Sequence, residues 1–290
     1  MALLGGTLFG VAGGLIAQQI YPISDLQPFL QNTELQSLYP GAALLIQAMA
    51  SLGTFVIPSI LFGILLAKPR LDDYFTLKIK PALLPLIILL FLGFLVNPVA
   101  DLAYELNQLL QIPESWGNLA HWINSQNERV TEDYSALLNF SGFGQFSLAM
   151  VTMALIPAIG EELFFRGILQ RIIQKQLKRN HAGIWITALI FGLIHFQISL
   201  LLPRLILGAF IGYIFWWSGQ LWYAIAAHFI NNSLALTISY YYPNLSSVDK
   251  SGISTNWIFL VIGSILFIVF LHLFYTFVTH SKIWYGKRLG

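Results

Sequence analysis

Long apolar runs dominate the chain and are separated by short polar segments. A helix needs about 20 residues to cross the roughly 30 Å hydrocarbon layer of a membrane. Eight runs reach or approach that length: 3–20, 41–67, 82–100, 144–169, 183–201, 203–218, 221–242 and 256–280. The run 203–218 is short and begins directly after the preceding run, so it can be a partial span or half of a tight hairpin. The pattern therefore predicts an all-α polytopic integral membrane protein with about eight transmembrane helices, and seven as the alternative.

The segment 101–143 breaks this pattern because it mixes Leu, Trp and charged residues. Its Trp116 and Trp122 are of the type enriched where a membrane meets water. We therefore expect one or two short amphipathic helices at the outer interface, which serve as a lid or only as a connector. With no internal repeat and no long linker, residues 1–290 are interpreted as a single membrane domain.

Composition agrees with a membrane location. Hydrophobic residues make up 57% of the 290 residues and charged residues only 10%, against about 25% charged in soluble domains. The formal net charge of +2 is too small to indicate a nucleic-acid partner. The absence of cysteine excludes disulfides, thiolate nucleophiles and cysteine-based metal sites. Membrane lipid is the partner that this composition indicates.

The basic residues indicate an orientation, because cytoplasmic loops are enriched in Lys and Arg. The loop 101–143 holds Arg129 alone, so it is predicted to lie outside. Three clusters are predicted to lie inside: Lys68, Arg70, Lys78 and Lys80; then Arg171, Lys175, Lys178 and Arg179; then Lys282, Lys287 and Arg288. The first run lacks a preceding basic segment and is interpreted as a retained span. Eight spans with both termini cytoplasmic fit every cluster.

Three charged residues lie inside the fourth apolar run. Glu162 and Arg166 are four residues apart, so they share one helix face and are expected to form an ion pair. Glu161 points about 100° away from them. Because burial raises the pKa of a carboxyl group toward the range of a useful base, Glu161 is the reactive candidate. The alternative is an ion network that only holds helices together, but charge inside a membrane usually marks a functional site.

Two later runs add further polar groups. In the fifth run, Phe191 and His195 share a helix face, and His195 is expected about 18 Å along a helix that starts near residue 183. In the seventh run, His228 and Asn232 are four residues apart, and both can donate hydrogen bonds to one negatively charged oxygen. Each pair can also serve only as a packing or interhelical contact. Together the three motifs predict a polar cavity within a conical or bundled helical core.

The order and spacing of these motifs resemble the CAAX prenyl protease and bacteriocin-processing family of intramembrane proteases, also called the CAAX-protease/ABI family. Its pattern is a double Glu followed by Arg, then Phe with His four residues later, then His with Asn four residues later. This chain matches at every position, with Glu161, Glu162, Arg166, Phe191, His195, His228 and Asn232. The resemblance covers about 144–235, which we interpret as the catalytic core.

The resemblance implies a glutamate-dependent peptidase without a cofactor. In it, Glu161 and His195 activate a water molecule, and His228 with Asn232 stabilises the oxyanion, while Glu162, Arg166 and Phe191 support the site. The substrate is expected to be a peptide or a lipidated protein, since some family members remove three residues from a prenylated C-terminal tail. A zinc-dependent protease is the alternative, because Glu161, His195 and His228 are also of the types that bind zinc.

Two non-proteolytic interpretations remain. Charged residues inside a membrane also mark ion and proton pathways, so a transporter is one candidate. It lacks a matching pair of broken helices in the two halves of the chain. A non-catalytic scaffold or immunity protein is the other candidate, although the chain retains all the groups that hydrolysis requires. Pro157, one turn before Glu161, can kink the helix beside the site in any of these functions.

Overall fold

The computed structural model describes residues 2–66, 71–78, 80–109, 113–138, 140–243 and 257–280. Helices account for nearly all of these residues, and no β-strand occurs among them. The α-helices are α1 Ala2–Ile20, α2 Leu26–Gln31, α3 Thr33–Leu38, α4 Pro40–Ser51, α5 Ile57–Leu66, α6 Leu71–Tyr74, α7 Leu83–Gln108, α8 Asn118–Leu138, α9 Phe143–Ala149, α10 Ile156–Phe164, α11 Gln170–Leu177, α12 Asn180–Leu193, α13 Leu201–Ser218, α14 Leu221–Tyr241 and α15 Trp257–His280. The predicted all-α class is confirmed.

Each of the eight apolar runs contains a helix. Five stretches are long and apolar enough to cross a membrane: Pro40–Leu65, Leu83–Gln108, Phe143–Leu177, Ile198–Ser218 and Trp257–His280. The other three runs correspond to α1, α12 and α14, with 19, 14 and 21 residues. In α14 the polar side chains of the third motif lower the hydropathy. The polytopic membrane architecture is confirmed, with five spans by length and composition where the pattern predicted about eight.

The connector differs in detail from its prediction. Its first residues belong to α7, which continues to Gln108, and a single amphipathic helix, α8, follows. Trp116 and Trp122 are both more than half exposed, as expected of interfacial residues. Thr131 on α8 accepts a hydrogen bond from Gln197, which lies between α12 and α13. The connector therefore contacts the segment that follows the second motif.

Three helical stretches contain π-helical turns, which often occur beside functional sites. One joins α4 to α5 at Leu52–Val56, and the other two, Met150–Leu155 and Phe165–Leu169, flank α10. α10 packs against α14 and against the first π-helical turn. A Cβ atom at Gly160 would lie 2.8 Å from a methyl group of Val56, so only glycine permits this approach. The double-glutamate motif consequently lies in the middle of the helical bundle.

The helices around α10 pack in two groups. α7, α13, α14 and α15 share an apolar core that includes Leu89, Ile211 and Phe274, all fully buried. α1 packs along α4.

The structure does not describe all the residues that predicted the orientation. Those outside the described residues are Lys68, Arg70, Lys282, Lys287 and Arg288. The cytoplasmic location of both termini therefore stays a prediction.

Candidate active site

The ion pair predicted within the first motif is present. Nη1 of Arg166 donates a hydrogen bond to Oε1 of Glu162 over 2.7 Å. The two side chains are 1% and 0% exposed. An unpaired charge at such a buried position costs several kcal/mol. Removal of either side chain would therefore leave the other as an unpaired buried charge.

Backbone carbonyls of α13 bind the same face of the motif helix. Nη2 of Arg166 donates to the carbonyl oxygen of Gly208 over 2.9 Å, and Nε2 of Gln170 donates to that of Gly212 over 3.2 Å. A Cβ atom at Gly208 would lie 3.1 Å from the Cα and Cβ atoms of Ala188 on α12. Glycine at this position allows α13 to approach closely enough to accept these bonds, and α13 thereby fixes the Arg166 guanidinium.

His228 lies between the two glutamates. Its Nδ1 is 2.7 Å from Oε1 of Glu162, and its Nε2 is 3.8 Å from Oε2 of Glu161. Because Oε1 of the carboxylate paired with Arg166 is an acceptor, Nδ1 of His228 carries the proton in this hydrogen bond. The sequence predicted both carboxylates and the imidazole but did not indicate that Glu162 contacts His228. That contact depends on the packing of α10 against α14.

Glu161 is separate from the Glu162–Arg166 pair, as the helical spacing predicted. Its side chain is largely buried, and its Oε2 has no hydrogen-bond partner in the part of the chain that the structure describes. This oxygen lies 3.8 Å from Nε2 of His228. Glu161 therefore presents a carboxylate oxygen that is free to accept a proton.

The expected helical position of His195 is wrong. α12 ends at Leu193, and His195 lies in the turn that follows it. Phe196 has a φ of 52°, a left-handed conformation that stops the helix. Nδ1 of His195 lies 2.7 Å from the carbonyl oxygen of Phe191. Since a carbonyl only accepts, Nδ1 carries the proton and Nε2 keeps its lone pair.

Phe191 contacts the charged and imidazole groups of all three motifs. Its ring meets the rings of His195 and His228 edge-on, with centroids 5.0 Å and 6.0 Å apart. The Arg166 guanidinium carbon lies 5.3 Å from the same ring centroid. One buried ring therefore lies against three polar groups, and the supporting role of Phe191 stays a prediction.

Asn232 is hydrogen-bonded to a backbone carbonyl that lies one turn before Pro157. Its Nδ2 donates to the carbonyl oxygen of Met153 over 3.3 Å. Met153 lies four residues before Pro157, which has no N–H to donate back to it. This bond leaves the second hydrogen of the Asn232 amide available. Asn232 can thus be held by the helix and still donate elsewhere.

The positions of Glu161, His195 and His228 bear on the zinc-dependent alternative. Within the described ranges, no group of three His, Asp or Glu side chains is arranged to hold a metal ion. Glu161 and His228 face each other, but Nδ1 of His195 is bound to a backbone carbonyl.

Three polar residues near the site were not predicted. The amide of Asn107 donates to the carbonyl of Ile198 over 3.0 Å and accepts from the N–H of Leu202 over 2.8 Å, which braces the segment after His195. Gln197 is bonded by Arg204. Arg204 packs beside Gly192, the neighbour of Phe191. A lone arginine inside an apolar run was a usable signal for Arg204, whereas the sequence carries no comparable signal for Asn107.

Comparison with known proteins bears on the resemblance inferred from the motifs. The family model described as type II CAAX prenyl endopeptidase Rce1-like matches residues 143–234. Over these residues the chain is similar to that family. The matched segment holds every motif residue considered above. The resemblance inferred from the motifs is therefore confirmed.

A curated relative also matches part of the chain. It is an uncharacterized protein, YpbD, of Bacillus subtilis strain 168, and it is 31% identical over 85 residues. This match spans 28% of the present chain and 40% of the relative. No solved structure matches. These similarities therefore cover only part of the chain.

Proposed function

We propose that this protein is an intramembrane endopeptidase that uses Glu161 to activate water for hydrolysis of a peptide bond. The single observation that carries the proposal is the paired arrangement of Glu161 and His228. A carboxylate with an unbonded oxygen lies 3.8 Å from an imidazole nitrogen, and a second carboxylate holds the other side of the ring. The Rce1-like match supports a membrane protease in general.

The first step is attack by water. Glu161 accepts a proton as the water oxygen bonds to the peptide carbonyl carbon, and Nε2 of His195 accepts the other hydrogen bond of that water. The C=O double bond becomes a single bond, so the carbonyl oxygen becomes an oxyanion. The second step returns the proton from Glu161 to the departing nitrogen as the C–N bond breaks. The oxyanion re-forms the C=O bond at the same time, so the products are a carboxylic acid and an amine. The acid then gives its proton to the amine, which leaves a carboxylate and an ammonium group.

The oxyanion is stabilised by His228 and Asn232. Nδ1 of His228 donates to Glu162, so donation from Nε2 requires the doubly protonated imidazolium. That positive charge would lie beside two carboxylates, which provide the partners that a buried charge requires. Asn232 donates its second amide hydrogen. One such donor commonly contributes about 3–4 kcal/mol to transition-state stabilisation.

The test is hydrolysis of farnesylated and unlipidated C-terminal peptides by the purified full chain in detergent. Glu161→Gln keeps the size of the side chain but removes the base, so cleavage is expected to stop. Glu132→Gln on the exposed face of α8 is the matched control and should cleave normally. Full activity in Glu161→Gln would contradict the proposal. Loss of wild-type activity in a chelator, restored by zinc, would favour the metal-dependent alternative.

A dependence of cleavage on the farnesyl group would define the substrate as a lipidated protein tail. Equal cleavage of both peptide types would define it as a peptide recognised without the lipid. The cleaved bond is identified by mass spectrometry of the products.

A further inference from the structure

Arg204 is a half-buried cation without an acidic partner among the described residues. It lies on the first turn of α13, and its Nη2 donates to Oε1 of Gln197, a neutral amide. Its Nη1 is buried and has no hydrogen-bond partner in the same part of the chain. An arginine in a membrane-spanning segment normally pairs with a carboxylate or faces a functional cavity. The other buried arginine of the site, Arg166, follows this rule through Glu162.

The position of Arg204 relates it directly to the proposed reaction centre. A Cβ atom at Gly192 would lie 3.7 Å from the Cβ atom of Arg204, so the arginine packs against the end of α12 beside Phe191. Gln197, which holds its guanidinium, is two residues after His195. Arg204 therefore adjoins the reacting groups without belonging to any of the three motifs.

The connector helix α8 also reaches this region. Gln197, which accepts the bond from Arg204, donates to Thr131 on α8 over 3.1 Å. Tyr134, on the next turn of that helix, is 41% exposed. Arg204 is therefore linked through one side chain to a helix that has an exposed face.

We propose that Arg204 binds a carboxylate group of the peptide substrate and so determines which peptide bond is presented to Glu161. This inference rests on the proposed function. Arginine binds carboxylates through two parallel N–H···O bonds, and Nη1 and Nη2 of Arg204 are the two donors. The Gln197 carbonyl occupies the place of one carboxylate oxygen and is displaced on binding. The carboxylate is either the free C-terminus of the substrate or an acidic side chain near it.

The experiment compares three farnesylated peptides of one sequence. They carry a free C-terminal carboxylate, a C-terminal carboxamide, or a carboxamide with Asp as the last residue. For the wild-type chain we expect the KM of the carboxamide to be about 10- to 100-fold higher than that of the free acid, as for loss of a charge-assisted hydrogen bond. Recovery by the Asp peptide would assign the effect to any nearby carboxylate, and no recovery would assign it to the free C-terminus.

Two variants test the role of Arg204 itself. Arg204→Gln removes the charge and should make the acid and the carboxamide nearly equivalent. Gln197→Glu keeps Arg204 but supplies it with an internal carboxylate, so it should abolish the preference by occupying the guanidinium. Arg129→Gln and Gln108→Glu make the same changes at exposed positions and should leave the preference intact. Thermal unfolding of each variant identifies any that fail to fold.

Binding of the same peptides to the purified chain separates this inference from the proposed function. If no peptide is cleaved, acid-selective binding that is lost in Arg204→Gln still supports the role of Arg204. Equal binding and equal cleavage of acid and carboxamide by the wild-type chain would overturn it. A loss of cleavage in Arg204→Gln that is equal for the acid and the carboxamide would also overturn the inference, because Arg204 would then act on Glu161 rather than on the substrate.

Discussion

His228 donates a hydrogen bond through Nδ1 to Oε1 of Glu162 over 2.7 Å. The bond joins helices α14 and α10 and sets which nitrogen of the imidazole faces Glu161. Glu162 also accepts from Arg166, so one carboxylate orients both a cation and an imidazole. This arrangement gives the two adjacent glutamates different roles, one as an orienting group and one as the proposed base.

Substitution of Glu162 by Gln should lower both activity and stability. The neutral amide would leave Arg166 with a weaker partner and His228 without a charged acceptor, so hydrolysis is expected to fall about 10²- to 10⁴-fold, as when the orienting carboxylate of a catalytic imidazole is neutralised. Breaking a buried ion pair costs about 3–5 kcal/mol of stability. Peptide cleavage and thermal unfolding in detergent measure the two effects, with exposed Glu132→Gln as the control. Unchanged unfolding would show that the ion pair does not stabilise the bundle.

Substitution of Gly208 by Ala should separate α13 from α12. The added Cβ atom would lie 3.1 Å from Ala188 and cannot be accommodated without a shift of the helices. Overpacking of this kind costs about 1–3 kcal/mol, and the shift lengthens the bond from Arg166 to the Gly208 carbonyl. Thermal unfolding should therefore occur at lower temperature, with reduced cleavage. Gly144→Ala is the control, since nothing lies within 4 Å of its added atom; an equal response of both variants would argue against a specific contact at Gly208.

Substitution of Phe191 by Leu should reduce activity more than stability. Leu keeps the site apolar but loses the edge-on contacts with His195 and His228, worth about 0.5–1.5 kcal/mol each, and the contact with Arg166. Because misplaced catalytic groups slow the chemical step, we expect kcat to fall at least about 10-fold. Phe94→Leu at a 54% exposed position is the control. A normal kcat in Phe191→Leu would mean that backbone and hydrogen bonds alone orient the imidazoles.

Substitution of Asn232 by Leu tests the oxyanion donor. Removal of one such donor lowers kcat by about 10²- to 10³-fold. Asn97→Leu is a matched control, because Asn97 Nδ2 bonds only to carbonyls of its own helix, at Gly93 and Phe94, within the described residues. Similar kinetics for the two variants would remove Asn232 from the mechanism and leave it as a contact of the Met153 carbonyl.

Much of the fold was predictable because membrane helices obey strong local rules. The apolar runs correctly located the helices, since backbone polar groups in lipid must be satisfied within a helix. The four-residue spacing of Glu162 and Arg166 correctly predicted their ion pair, because both residues lie on one continuous helix. His195 was placed wrongly because an apolar run does not reveal where a helix stops. The residue with left-handed backbone that ends α12 is Phe196, so no glycine in the sequence marks the end of this helix.

The sequence by itself determined that this is a helical membrane protein, that charged and polar residues within its apolar runs form three motifs, and that those motifs resemble one protease family. These properties follow from hydrophobic length and from short-range spacing. The tertiary structure alone decided that Glu162 binds His228, that Phe191 contacts the His228 imidazole, and that Arg204 adjoins the site. Each of those contacts joins residues from different helices, and their geometry depends on how closely glycines and π-helical turns let the helices approach.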